Sequence, residues 1–237
     1  MVEGAVLMPL WGMVIDLDKC TSCGGCIAAC KEENNVPQQI PEEAARGRAI
    51  SWMDLLVEEE GEFPEVRVRY IPRPCMHCDK PPCTKVCPVR ATYRTEEGIV
   101  AQIYLRCIGC RFCMAACPYT VKYFNWYRPG WPEGMEKGHN PDVSVRPHGV
   151  VEKCTFCIHR IQKGKERAKA EGRALREEDV IPACAESCPA KAIYFGDLHD
   201  RSFRVAQLFK SKRAFTLQED LGVEPKVYYL AEEERHV

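Results

Sequence analysis

At 237 residues the chain is long for one ordinary domain and comfortable for two small intertwined ones. Its 33 Lys+Arg balance 34 Asp+Glu, and the net charge of -1 gives no reason to expect a nucleic-acid partner. The hydrophobic fraction of 46% is that of a globular protein, and no apolar run approaches the roughly 20 residues needed to span a bilayer.

The opening stretch, MVEGAVLMPLWGMVIDLDKC, has a short apolar patch but no basic n-region, twin arginine or A-x-A cleavage site, so no signal peptide is expected. Residues 13–19 alternate apolar and polar and predict a strand running into the first cysteine group, Cys20, Cys23, Cys26 and Cys30. Residues 31–74 predict a hairpin, with strands around 50–57 and 65–71 and an acidic turn over 58–61. The second group follows as Cys75, Cys78, Cys83 and Cys87-Pro88, and residues 87–100 read as helix end, strand, turn and strand. Residues 101–106 predict a strand leading into Cys107, Cys110, Cys113 and Cys117-Pro118. Residues 128–148 are rich in Gly, Pro and charge and read as an exposed loop.

A similar strand at 149–153 introduces the fourth group, Cys154 and Cys157, completed after a long insertion by Cys184 and Cys188-Pro189. That insertion begins as a basic helix over 158–176, interrupted at Gly164 and Gly172, whose charges read as a solvated face rather than a docking patch. The tail predicts an amphipathic helix near 202–213 and a late strand or docking arm at 226–230, and the acidic end at 232–234 is expected to fray.

The third group carries the chemistry most openly. Its spacing, C-x2-C-x2-C-x3-C-P, is the iron–sulfur run of bacterial ferredoxins. Three thiolates two residues apart on a tight loop can reach three corners of one cube. The fourth points to a different cluster, and the proline turns the chain out of the site. Structural zinc would ask for four thiolates around one ion, typically as two separated C-x2-C pairs. Disulfide scaffolds are usually shorter and do not repeat one spacing. Four groups of four account for all 16 cysteines, and an internal repeat of this kind decides the fold. No nucleophile–base motif, Gly-rich phosphate loop or H-E-x-x-H is present, so no substrate chemistry is expected.

Three phrases are more specific still: Cys26-Ile27-Ala28-Ala29-Cys30-Lys31-Glu32-Glu33-Asn34-Asn35, Pro74-Cys75-Met76-His77-Cys78-Asp79-Lys80-Pro81-Pro82-Cys83, and Glu152-Lys153-Cys154-Thr155-Phe156-Cys157. With the ending at residues 224–230, they make the chain resemble the iron–sulfur electron-transfer subunits of the complex iron–sulfur molybdoenzyme family. Those subunits serve dimethyl sulfoxide, polysulfide, tetrathionate and arsenate reductases, and the ferredoxin part of alternative complex III is similar. The resemblance implies an α+β fold of two intertwined ferredoxin-like modules with an inserted hairpin, loop and helix. Residues 10–72 and 149–200 would form the first module and 73–127 the second, with 128–148 as the loop insertion and 201–237 as a C-terminal docking arm.

It also implies the pairing of cysteines. Cys20, Cys23, Cys26 and Cys188 would hold one cluster, and Cys30, Cys154, Cys157 and Cys184 its neighbour. Cys75, Cys78, Cys83 and Cys117 would hold a third, and Cys87, Cys107, Cys110 and Cys113 a fourth. Some relatives lack one cysteine of the third group; Cys110 is present here, so four [4Fe-4S] clusters are expected. The implied work is relay of single electrons between a molybdopterin-type catalytic subunit and an integral-membrane, quinone-reactive subunit. The chain itself would be peripheral to the membrane and assembled in the cytoplasm, with the side of the membrane left open. A free polyferredoxin, or a subunit of a hydrogenase or other non-molybdenum complex, is the alternative.

Several other residues draw attention. His77, inside a C-x2-C, reads as lying behind the ligands or facing solvent rather than coordinating, and His148 and His159 have weaker cases. Arg111, Lys122, Lys153 and Lys191 lie near cysteine loops, where they would either tune potentials or simply be solvated. Trp126, Tyr127 and Trp131 read as local packing or as a surface for a membrane partner.

Overall fold

Short strands alternate with helices, most of them a single turn, because each cysteine group takes up a tight loop and leaves little room between. The computed structural model describes residues 8–38 and 40–232. The first residues read for a targeting signal, and Glu233 and Glu234 of the acidic end, lie outside them. In chain order the first elements are β1 (Trp11–Asp16), α1 (Gly25–Glu33), α2 (Pro41–Ala45), the hairpin β2 (Asp54–Glu60) and β3 (Arg67–Arg73), and α3 (Pro82–Lys85). The middle of the chain holds β4 (Thr92–Arg94), β5 (Val100–Gln102), α4 (Phe112–Ala115), β6 (Tyr123–Phe124) and β7 (Val151–Glu152). The remainder holds α5 (Ile158–Ala170), α6 (Ala183–Glu186), β8 (Ile193–Asp197), α7 (Val205–Leu208), β9 (Ala214–Phe215) and β10 (Val227–Leu230).

The result is a mixed α/β chain in which β1 is the central strand. All six of its residues are buried. It pairs antiparallel with β8, from Trp11 opposite Asp197 to Ile15 opposite Ile193, and parallel with β10, from Met13 opposite Val227 to Asp16 opposite Leu230. β9 completes the sheet beyond β10. The strand expected at 13–19 therefore starts two residues early and stops at Asp16, while the late strand expected at 226–230 is present as β10.

Each strand pair joins the end of one cysteine group to the start of another. β2–β3 links the first group to the second, β4–β5 the second to the third, and β6–β7 the third to the fourth. β8–β1 then links the fourth group back to the first, so the repeat closes into a ring.

Several sequence expectations need correction. The first hairpin is displaced towards its acidic tip: Asp54 pairs with Arg73 and Glu60 with Arg67, so Glu58, Glu59 and Glu60 of the expected turn are strand. Ile50, Trp52 and Met53 are buried core instead, which removes them from the exposed ribbon. Residues 101–106 leave the strand after Gln102 and form a 3-10 turn over Tyr104–Arg106. The helix expected near 202–213 is one turn, Val205–Leu208.

The basic helix runs unbroken through Gly164 and ends before Gly172, whose φ of 64° suits a helix stop. Gly164 has a packing role: a Cβ there would lie 2.2 Å from the carbonyl oxygen of Asp179. The expected solvated face is also incomplete, since Arg160 pairs with Glu33 and Glu186, Lys163 with Asp142 and Lys165 with Glu97.

The 128–148 loop is exposed over most of its length but anchored at its end. Arg146 is 1% exposed and lies 4.8 Å over the Trp52 ring. It donates to the carbonyls of Asn34, Asn35 and Ser144 and pairs with the fully buried Glu152. Asn140 adds a second tie: its Nδ2 donates to the Glu33 carbonyl at 2.9 Å, and its backbone N–H donates to Asn35 Oδ1 at 2.8 Å.

Two stability tests follow from these contacts. Gly164→Ala is expected to cost about 1–3 kcal/mol in urea unfolding, because backbone rather than a flexible side chain must give way. Arg146→Met, which strands the Glu152 carboxylate in the interior, is expected to cost about 3–5 kcal/mol, and Arg146→Met with Glu152→Met should be the less damaged protein. A double variant as unstable as the sum of its singles would contradict that account.

Candidate metal centres

Two thiols in a C-x2-C loop face the same cavity only if the chain turns sharply between them. The first two cysteines of all four groups solve this in the same way. The residue before the second cysteine is left-handed: Ser22 at φ 51°, His77 at 43°, Gly109 at 70° and Phe156 at 56°. Only Gly109 takes that conformation freely, and a Cβ there would lie 2.4 Å from the Gly149 carbonyl oxygen. A second repeat follows each Cys-Pro, where Arg90, Thr120 and Lys191 are left-handed at φ 51°, 53° and 47°. That turn swings the next backbone amides onto sulfur: Ala91 N–H donates to Cys87 Sγ at 3.1 Å and Ala192 N–H to Cys188 Sγ at 3.3 Å.

The cysteines gather into fours. Cys20, Cys23, Cys26 and Cys188 line one cavity, walled by Leu55 and Pro72 at the base of the hairpin. Cys75, Cys78, Cys83 and Cys117 line a second with Tyr119 and Lys122. Cys87, Cys107, Cys110 and Cys113 line a third with Thr92 and Gln102. Cys30, Cys154, Cys157 and Cys184 are all buried; the Cys30 thiol is pushed well up by burial first, and then by Cys154, Cys157 and Cys184 beside it. Cys23 and Cys110, in contrast, are exposed.

Burial dominates the electrostatics of the thiols. It raises Cys26 and Cys83 to about 11 and Cys78 to about 12, with neighbouring cysteines adding to the effect on Cys26 and Cys78. Cys23 goes the other way, lowered chiefly by the Gly25 N–H. Burial raises Cys87 too, but donation from the Thr92 and Ala91 amides outweighs it and leaves the thiol low. Metal binding takes thiolates, so loading these sites displaces protons.

The residue set fits iron–sulfur clusters. Among the described residues no three His, Cys, Asp or Glu side chains converge closely enough to hold a single metal ion. Three of the quartets instead line cavities, as the corners of a cubic cluster require, and amide N–H groups point at cysteine sulfurs, as cluster sulfurs commonly receive. Asn34 adds a side-chain donor missed in the sequence, its Nδ2 lying 3.8 Å from both Cys30 Sγ and Cys157 Sγ.

The other residues singled out now separate. His77 is fully buried, not solvent-facing; its Nδ1 accepts from the Val100 N–H at 3.1 Å and its ring stacks 3.7 Å from Phe156. Burial holds it well below the ordinary histidine range, with Lys153 adding to the effect. His159 pairs with Glu33 at 2.6 Å, and His148 is exposed. Trp126 packs on Phe124 and lies under the Arg48 and Arg111 guanidinium groups, and Trp131 packs on His139. Tyr127 is half-buried. Arg111 and Lys191 are exposed, whereas Lys122 and Lys153 are buried.

Cysteine quartets on ferredoxin-type loops, with no catalytic constellation beside them among the described residues, define a carrier of 4Fe-4S clusters. Comparison with known proteins agrees: residues 66–131 match the family model of the 4Fe-4S dicluster domain. Over 94% of its length the chain is 56% identical to the iron–sulfur cluster-binding subunit of menaquinone reductase from Nitratidesulfovibrio vulgaris, covering 89% of that protein. It is 41% identical to a selenate reductase subunit of Mesobacillus selenatarsenatis, over 97% of this chain and 76% of that one. It is 37% identical to the arsenate respiratory reductase iron–sulfur subunit of a Shewanella species, over 92% and 95%. The chain belongs to the iron–sulfur subunits of the complex iron–sulfur molybdoenzyme family, and is an electron-transfer subunit of a reductase complex rather than the catalyst.

One tie beside the buried quartet is open to test by pH. Glu33 takes two bonds from Arg160, at 2.7 and 2.6 Å, and so fastens α1 to α5. Burial raises its carboxyl, but donation from Arg160 and His159 outweighs burial and leaves it low. A carboxylate lowered on folding stabilises above its unfolded value, roughly 4.3, and loses that contribution as pH falls through the folded value. Glu33→Gln should therefore bleach its visible absorbance faster than the wild type at pH 7, and the two rates should converge below about pH 4.

Proposed function

We propose that this chain carries four [4Fe-4S] clusters and relays single electrons between a molybdopterin-type catalytic subunit and a quinone-linked membrane subunit. The observation that carries this reading is the gathering of the 16 cysteines into four sets of four. Cys20, Cys23, Cys26 and Cys188 hold the first cluster, and Cys30, Cys154, Cys157 and Cys184 the second. Cys75, Cys78, Cys83 and Cys117 hold the third, and Cys87, Cys107, Cys110 and Cys113 the fourth. Once bound, these clusters supply reversible one-electron chemistry. The chain's own part is to hold sulfur in register, direct amide N–H groups at it and keep water from the inner sites.

The first and fourth cysteine groups form one ferredoxin-like module, over 10–72 and 149–200, and the second and third form another, over 73–127. Pairing of β8 with β1, and of β4 with β5, supports that division. The insertion over 128–148 follows the second module, and the tail over 201–237, whose β10 packs on β1 of the first module, serves the complex as its docking arm. The first module faces the catalytic subunit and the second faces the membrane subunit.

Exposed apolar side chains support a docked subunit over a free carrier: Leu105 is 96% exposed, Ile108 64% and Phe112 62%, all beside the exposed Cys110. The chain associates peripherally with the membrane through its partners; among the described residues no helix is long and apolar enough to cross one. The name of the 56% identical relative supports menaquinone as the class of quinone at the membrane end.

Anaerobically purified protein should contain roughly sixteen iron and sixteen acid-labile sulfide per chain, with interacting [4Fe-4S] signals by low-temperature EPR. About twelve iron or fewer would overturn the four-cluster reading. Cross-links from residues 107–117 should reach the membrane subunit; reaching the catalytic subunit instead would reverse the orientation.

A further inference from the structure

Lys122 and Lys153 are buried among the cysteine quartets, and among the described residues neither makes an ion pair with a carboxylate. Lys122 is 3% exposed, and its Nζ donates to Thr92 Oγ1 at 3.2 Å and reaches Gln102 Oε1 at 3.5 Å. Lys153 is fully buried, and its Nζ donates to the Cys154 carbonyl at 2.7 Å and to the Val100 carbonyl. The oxygens that receive each head group are thus neutral. Lys226, also 3% exposed, makes the contrast plain, because it is paired with the Asp79 carboxylate at 2.8 Å. A cation removed from water is costly unless an anion compensates it.

The position of each lysine says which anion that is. Lys122 lines the cavity of Cys75, Cys78, Cys83 and Cys117, and the Thr92 and Gln102 oxygens that its Nζ reaches line that of Cys87, Cys107, Cys110 and Cys113. Lys153 holds the carbonyl of Cys154, from the second quartet, on one side and that of Val100, which lines the cavity of Cys75, Cys78, Cys83 and Cys117, on the other. The second quartet also receives a neutral donor, the Asn34 amide, which approaches Cys30 and Cys157.

We propose that Lys122 and Lys153 are positioning cations of the electron path. Lys122 is the counter-charge between the third and fourth clusters, and Lys153 between the second and third. The inference rests on the four-cluster reading above. A fixed positive charge favours the reduced, more negative form of a cluster beside it, so each lysine raises the potential of the two clusters it separates. The third cluster, flanked by both, receives the largest lift. This makes the middle of the path more readily reduced than its cysteines and burial alone would allow.

The test uses Lys122→Met and Lys153→Met in the complex purified anaerobically with its partners. Iron per chain and an EPR-monitored redox titration are read together. The expected result is full iron with displaced midpoints: both substitutions lower the third-cluster potential, Lys122→Met also lowers the fourth, and Lys153→Met the second. Lys122→Arg, which keeps the charge, should restore wild-type potentials. Full iron with unchanged potentials in both Met variants overturns the proposal. If a Met variant loses iron, the Gln variant at the same position keeps a donor for the local oxygens and is titrated instead. Loss of iron there as well assigns the lysine to folding and also overturns the proposal. Iron below the four-cluster level in the wild type is a separate outcome, and overturns the underlying reading.

Discussion

A left-handed residue before the second cysteine of each of the four groups is the constraint on which this structure depends. Without that turn, the two thiols would not share a cavity and the distant members of each quartet would have nothing to complete. Three of the four positions are filled by Ser22, His77 and Phe156, which adopt the conformation at a cost of about 1–3 kcal/mol each. The strain has to be held in place by surrounding contacts. For His77 and Phe156 each residue supports the other, since their rings stack where the second and fourth groups meet. The same contact brings the Lys153 side chain, the Val100 backbone and the Cys154 loop into one small, dry region.

Much of this was legible in the sequence because spacing is a covalent property. Cysteines at intervals of two and three fix loop geometry whatever surrounds them, and the strand before Cys20 and the strands around the Cys87–Cys107 join follow from simple alternation. The errors fell where tertiary contact overrides local pattern. Gly164 looks like a helix breaker until the Asp179 carbonyl is seen against it. Arg146 sits in a Gly- and Pro-rich stretch that reads as solvent-exposed, yet Glu152 and three carbonyls lie far away in sequence or out of view of any local rule. The hairpin was displaced because its charged residues pair across strands, Glu58 opposite Arg69 and Glu60 opposite Arg67, and so do not mark a turn.

The candidate site divides in the same way. Which residues are cysteines, and how they repeat, could be read directly; which lysines are buried could not. Arg111, Lys122, Lys153 and Lys191 look alike in sequence, each a basic residue near a cysteine loop. Burial then separates them into two exposed and two enclosed, a distinction set by segments far along the chain. Of the two readings open for His77, behind the ligands or facing solvent, burial selects the first, because the Phe156 ring that covers it comes from the fourth group.

The closure of β8 onto β1 has a consequence for biosynthesis. A chain leaving the ribosome presents its amino-terminal cysteines first, but Cys20, Cys23 and Cys26 have no partner until Cys188 is made, and Cys30 waits for Cys184. β1 likewise waits for β8 and β10 on its two edges. The sets drawn from residues 75–117 are complete much earlier, from contacts that are close in sequence. The middle sets can therefore close before the outer ones, and the first thiols to be made are the last to gain their partners.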